Sequence, residues 1–217
     1  MHMKRLILST LVVIGLFSAW TASPAPSQAA MSNPAKVVQL KMALRDLYIN
    51  HIFWVRSLVI STRTGEKAAI SEADQYGLDN AKVIGRSLAS FYGPLAEGPC
   101  VYLFANHYLD VKSYMRAAFA NNFKGDETFK KTAVDNLTRT ADGVALFVSA
   151  ATPNLPKSAV YALLTAHIGH HIVAINATAK KDWSAEADVW NPMAKQVYVL
   201  ADTLADGIAK QFPEKFR

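Results

Sequence analysis

From Asn33 to the C-terminus, apolar residues return every three or four positions, and alternating apolar–polar runs are almost absent. That is the period of helices lying against a core, not of half-buried strands. It excludes sheet-built folds, among them the nucleotide-binding α/β architectures. What remains is an all-α chain in which each helix covers its apolar stripe with its neighbours.

Turn and cap residues divide the pattern. Asn33 caps a first helix over about Ala35–Arg63, with Pro34 at the first helical position and Thr64-Gly65 as the stop. Glu72 to Ser90 reads as one or two short helices broken near Gly77, ending at the turn Phe91-Tyr92-Gly93-Pro94. A long helix follows over about Leu95–Asn121, loosened at Gly98-Pro99, and Lys124-Gly125-Asp126 leads into another over Asp126–Ala151. Leu155-Pro156 opens a helix to about Lys180. Asp182 or Ser184 caps the last, which reaches Gln211 with Pro192 as a kink point. The expected architecture is an antiparallel bundle of four to five long helices plus a short helical excursion, forming one domain over residues 30–217.

The first residues belong to another pattern. Lys4-Arg5 precede an uncharged apolar run from Leu6 to Trp20, and Ser27 and Ala29 supply small residues for cleavage after Ala29 or Ala30. This is the layout of a secretory signal peptide over residues 1–29, and the run is short for a membrane span. The expected location is the periplasm or the exterior, with no stable membrane insertion after cleavage. No cysteine near the cut offers a site for lipid attachment. Loss of Lys4 and Arg5 lowers the formal net charge from +6 to +4, without any basic run, so a nucleic-acid partner is not expected. Cys100 is the sole cysteine, which rules out an intrachain disulfide, and its apolar surroundings point to burial.

Five histidines remain after cleavage: His51, His107, His167, His170 and His171. His51 shares a helical stripe with Leu44, Leu47 and Leu58. His107 shares one with Leu103, Val111 and Tyr114, and His167 one with Val160 and Ala174. Each of these three lies near the middle of its helix. In a bundle of similar helices, midpoints meet in one layer, so the three imidazoles are expected to converge. His170 and His171 flank the same face as His167, three and four residues on. Imidazole is a ligand for copper, zinc and iron. A metal site is therefore expected from His51, His107, His167 and His171, with Asp202 or Tyr198 approaching from the last helix. Such binding needs neutral rings and should weaken below about pH 6.5, the ordinary histidine pKa.

Other residues are weaker candidates. Asp135, Arg139 and Asp142 share one helix. Arg56 is expected to pair with Asp46, Asp202 or an anionic ligand. Haem held by one histidine with Met115 or Met42 is a further option. The competing reading is that the histidines are core residues, each bonded to its own polar neighbour. Sharper signatures are missing: no Glu-x-x-His pair, zinc-protease run, haem-attachment motif, nucleophile elbow or phosphate loop appears.

The stretch Leu44-Arg45-Asp46-Leu47-Tyr48, with His51, Trp54 and Arg56, resembles the opening of a bacterial family of small secreted helical-bundle proteins. Phe91-Tyr92-Gly93, Asn106-His107-Tyr108-Leu109, Ala141-Asp142, Ala166-His167 and Ala205-Asp206-Gly207-Ile208 with Gln211-Phe212-Pro213 are similar to its later segments, in order. The resemblance implies a bundle with one histidine on each of three helices, matching His51, His107 and His167. His170 and His171 depart from that pattern, which marks them as peripheral or particular to this chain. Members of that family carry names such as glycosyltransferase or acetylglutamate kinase, and neither a nucleotide-sugar fold nor a kinase pattern is present here.

The leading expectation is thus a periplasmic bundle that binds a transition-metal ion (copper, zinc or iron), a metal cofactor or another small ligand. A hydrolase or small redox enzyme using the same histidines is the alternative. The third reading is a structural or stress-related interaction protein.

Overall fold

The computed structural model describes residues 33–217, and the expected signal peptide lies outside the described residues. Six long helices follow one another: α1 Pro34–Thr64, α2 Lys67–Tyr92, α3 Glu97–Phe123, α4 Glu127–Ala151, α5 Lys157–Ala179 and α6 Trp183–Gln211. No strand occurs among the described residues. The caps match the local chemistry. Asn33 accepts from the Ala35 amide at 3.0 Å, Asp126 from Phe129 at 2.9 Å, and Asp182 from Ala185 at 3.0 Å. Gly65 closes α1 in a left-handed conformation, with its amide bonded to the Ser61 carbonyl.

The stretch expected as a short excursion is a full helix, and α2 runs unbroken through Gly77. Gly77 is there for contact rather than for breaking. A Cβ at this position would lie 2.6 Å from the Tyr108 ring, which is held in place by a hydrogen bond from its hydroxyl to Asp74. Gly85 does the same one layer away, letting α2 approach the backbone of Val101 in α3. Pro99 falls in the first turn of α3, where its missing amide costs no helical bond, so the helix is not loosened there. Pro192 sits inside α6 without ending it.

Each helix packs on the next, and α6 returns to pack on α1, closing a ring. Short connections make sequential neighbours antiparallel, so α1, α3 and α5 run the same way. These three also touch one another across the centre, as α1 with α3, α3 with α5 and α1 with α5. The outer members α2, α4 and α6 cover them. With four helical neighbours, α5 has little need of a polar face. It is long and apolar enough to cross a membrane by length and composition alone.

The core is built from the buried stripes, including Leu44, Ile52, Ile84, Tyr108, Leu137, Ile175, Val197 and Ile208. Four of its residues are histidines.

Candidate metal centre

The register of the three inner helices decides which histidines enter the core. On α1 the buried positions Leu44, Tyr48, His51, Val55 and Leu58 recur every three or four residues. On α3 the stripe is Cys100, Phe104, His107, Val111 and Tyr114. On α5 it is Val160, Leu164, His167, His171, Ile175 and Thr178. His171 therefore continues the buried stripe of α5 one turn beyond His167. His170, displaced to the other side of that stripe, is only half-buried.

His51, His107, His167 and His171 are all buried, and one ring nitrogen of each lies within 4.8 Å of the chosen nitrogens of the other three. Ring centroids are separated by 4.4 Å for His167–His171 and by 6.5 Å for the widest pair, His107–His171. Ligand atoms around a tetrahedral ion with bonds of 2.0–2.1 Å stand about 3.3–3.4 Å apart. The group needs a contraction of about 1.5 Å at most to reach that geometry.

Hydrogen bonding accounts for one contact within the group. The Nε2 atoms of His167 and His171 face each other at 3.0 Å. Both ring nitrogens of His51, Nε2 of His107 and Nδ1 of His167 are buried without any partner. The expectation that core histidines would each satisfy a separate polar neighbour is not met.

Electrostatics keep the group neutral. Burial, then the proximity of His107, lowers the His51 pKa to about 3. Burial lowers that of His107 to about 4. His167 and His171 are held well below the ordinary value by burial first and by their neighbouring rings second. Near-neutral pH thus leaves lone pairs available. The threshold near pH 6.5 expected from sequence moves to lower pH, because it assumed imidazoles in contact with water.

A cavity beside the group is lined by His51, His107 and His167 together with apolar side chains such as Ile84, Phe104, Val144 and Leu200. The centre of a water-sized sphere sweeps about 20 Å³ in it, room for one water or one ion and none for a porphyrin. The haem option fails on this and on its methionines. Met42 is exposed, and Met115 lies eight residues beyond His107, about 12 Å along α3. A second small cavity meets the far side of His171 and reaches Arg56, Glu186, Trp190 and Met193.

The structure leaves Asp202 and Tyr198 outside the group. Asp202 accepts two hydrogen bonds from Arg45 of α1, one at 2.7 Å from Nε, which hold its carboxyl below the usual carboxylate range. Tyr198 is exposed beside the same guanidinium. The residue that α6 turns toward the histidines is Leu200, and Asp202 is about 200° further round the helix. The fourth imidazole of the group is that of His171, so this residue is central rather than peripheral. Asp142 pairs with Lys157, Asp135 with Lys131, and Arg139 bonds Asn136, all at the surface.

Arg56 pairs with neither Asp46 nor Asp202 but with Glu186, through two hydrogen bonds of 2.5 and 2.7 Å. Glu186 is buried and was not singled out in the sequence. Its signal was an acid sharing a helical stripe with Val189, Trp190 and Met193. Cys100 is buried, and burial pushes its thiol up to about 11.

Comparison of this chain with protein-family models, with curated proteins and with solved structures finds no match. Function has to be argued from the site itself.

Proposed function

We propose that this protein is exported and holds one transition-metal ion in its core, on His51, His107, His167 and His171. The observation that carries the reading is the convergence of four buried imidazoles from three helices, with ligand atoms within 4.8 Å of one another. Buried polar atoms nearly always have partners, and four nitrogens here have no protein partner. An ion would supply a partner to one nitrogen on each ring.

The donor set favours holding over catalysis. Four protein ligands complete a tetrahedron, whereas catalytic zinc sites keep one position for water or substrate. The adjoining cavity admits about one water and has apolar walls. A hydrolase or redox enzyme has less support on these grounds. Export rests on the signal pattern of residues 1–29 and places the protein in the periplasm or outside the cell.

The test is elemental analysis of protein purified without chelators from the compartment to which it is delivered. The expected result is one transition-metal ion per chain, lost on replacing any of the four histidines. A chain that carries no stoichiometric metal and takes up neither copper, zinc nor cobalt on titration would overturn the reading. N-terminal sequencing of the same material tests export, which fails if residues 6–20 are retained.

A further inference from the structure

We infer that the ion is monovalent, and that the site is built for copper(I) rather than for a divalent metal. This rests on the metal-holding reading above and specifies which ion the same four histidines take.

Charge distinguishes the ions. The four ligands are neutral imidazoles, and no Asp, Glu or Cys belongs to the group among the described residues. The nearby walls are uncharged: the hydrocarbon side chains of Ile84, Phe104, Val144, Leu164 and Leu200, with the phenol of Tyr48. Two carboxylates of α6 are already paired. Glu186, which shares a cavity with His171, is bonded twice to Arg56, and Asp202 is bonded twice to Arg45. On two of the rings the second nitrogen finds no protein anion either, since both nitrogens of His51 and Nδ1 of His167 are buried without a protein partner.

Metal-ligating histidines usually donate their second N–H to a carboxylate, carbonyl or water, and a carboxylate there spreads negative charge toward the ion, which a dication needs more than a monocation. This group has no such support at the atoms just named. The cost of moving an ion from water into a low-dielectric interior grows as the square of its charge, so a dication costs four times as much as a monocation. The attraction of fixed imidazole dipoles grows only with the first power of the charge. Neutral donors in a hydrocarbon cage therefore favour the singly charged ion.

Ligand chemistry selects among monocations. Alkali ions prefer oxygen donors, whereas imidazole suits copper. Copper(I) has a filled d shell and accepts the tetrahedral arrangement that four converging rings offer. Met193 lines the second cavity, which His171 also borders. Thioethers are soft donors that suit copper(I).

The test compares ions on the same metal-stripped full chain, without oxygen. Copper(I) is titrated against a chromogenic copper(I) chelator, zinc(II) against a chromogenic zinc chelator, and silver(I) serves as a monocation that does not change oxidation state. The expected result is one copper(I) or silver(I) per chain, held at least about 100-fold more tightly than zinc(II), a difference set by the charge term. His171→Glu keeps four donors and adds one negative charge, and should move the copper(I)-to-zinc(II) ratio at least about tenfold toward zinc. If that variant does not fold, the ion comparison on the unaltered chain decides alone. Zinc(II) bound as tightly as copper(I) would overturn the monovalent assignment and leave the metal-holding reading standing. Binding of none of the three ions would overturn both.

Discussion

Lowering the pH of the metal-free protein from 7 to 5 should destabilise it steeply, and the size of the loss follows from the buried histidines. In the unfolded chain each imidazole meets water and protonates near pH 6.5. In the folded chain His51 stays neutral to about pH 3 and His107 to about pH 4, because burial penalises the charged ring. A folded pKa below the unfolded one means that the unfolded state binds more protons. Stability is then fully present above the unfolded pKa and is lost as pH falls toward the folded one. Between pH 7 and 5 the unfolded state gains about 2 kcal/mol of proton binding per such histidine.

His51 and His107 together therefore remove about 4 kcal/mol, and His167 and His171, shifted the same way, add to that. The result does not depend on the folded values, provided they stay below about 4.5, since the proton is taken up by the unfolded chain. A domain of this kind has about 5–15 kcal/mol in total. The window also separates these groups from the paired carboxylates. The Arg45-bound Asp202 is depressed, so its contribution is lost only below the ordinary carboxylate range. Urea denaturation at pH 7, 6 and 5 in the presence of a chelator measures the loss directly. Calorimetry in buffers of different ionisation heat counts the protons taken up. A midpoint that stays constant across that range, or unfolding with no net proton uptake at pH 5, would refute the claim that these rings are buried and neutral.

Three further outcomes are expected. His171→Ala should reduce copper or zinc binding as severely as His51→Ala, His107→Ala or His167→Ala, whereas His170→Ala should leave stoichiometry unchanged; titration of each variant distinguishes them. Gly77→Ala should lower stability by about 1–3 kcal/mol, because the new methyl meets a Tyr108 ring that cannot swing away, and thermal unfolding would show it. Cys100 should resist a thiol reagent in native buffer at pH 8 and react fully in denaturant, because its thiol is buried and its pKa is raised.

What sequence reveals here depends on whether a feature is carried by period or by angle. Period located the helices well: Asn33, Gly65, Asp126 and Asp182 mark real ends. The exception was α2, where Gly77 looked like a break. Its role is set by Tyr108 of the following helix, a partner that local pattern does not contain. Depth along each helix also carried over, since His51, His107 and His167 do meet in one layer. Rotation about the helix axis did not. Asp202 is at a plausible depth but on the wrong side, where Arg45 of α1 takes it. His171 was expected in the site although the family resemblance marked it as peripheral, and the buried stripe through Leu164, His167, His171 and Ile175 shows that it faces inward.

The topology explains why the site has this composition. In a ring of six helices joined by short turns, α1, α3 and α5 run in parallel and meet at the centre. Residues near the middle of those three helices are the farthest from solvent and the closest to one another. Nonpolar side chains in that layer would give the more stable fold, because each buried nitrogen left without a partner costs about 1–3 kcal/mol. The sequence instead places four imidazoles there, two of them one turn apart on α5. Under the proposed function such a layer weakens the empty protein and would strengthen the loaded one, since any ion that binds only the folded state adds about 2.7 kcal/mol at a free concentration 100 times its dissociation constant. The stability of the fold is thereby coupled to occupancy of its centre. The measurable form of that coupling is a loss between pH 7 and 5 in the empty chain that the bound ion should counteract.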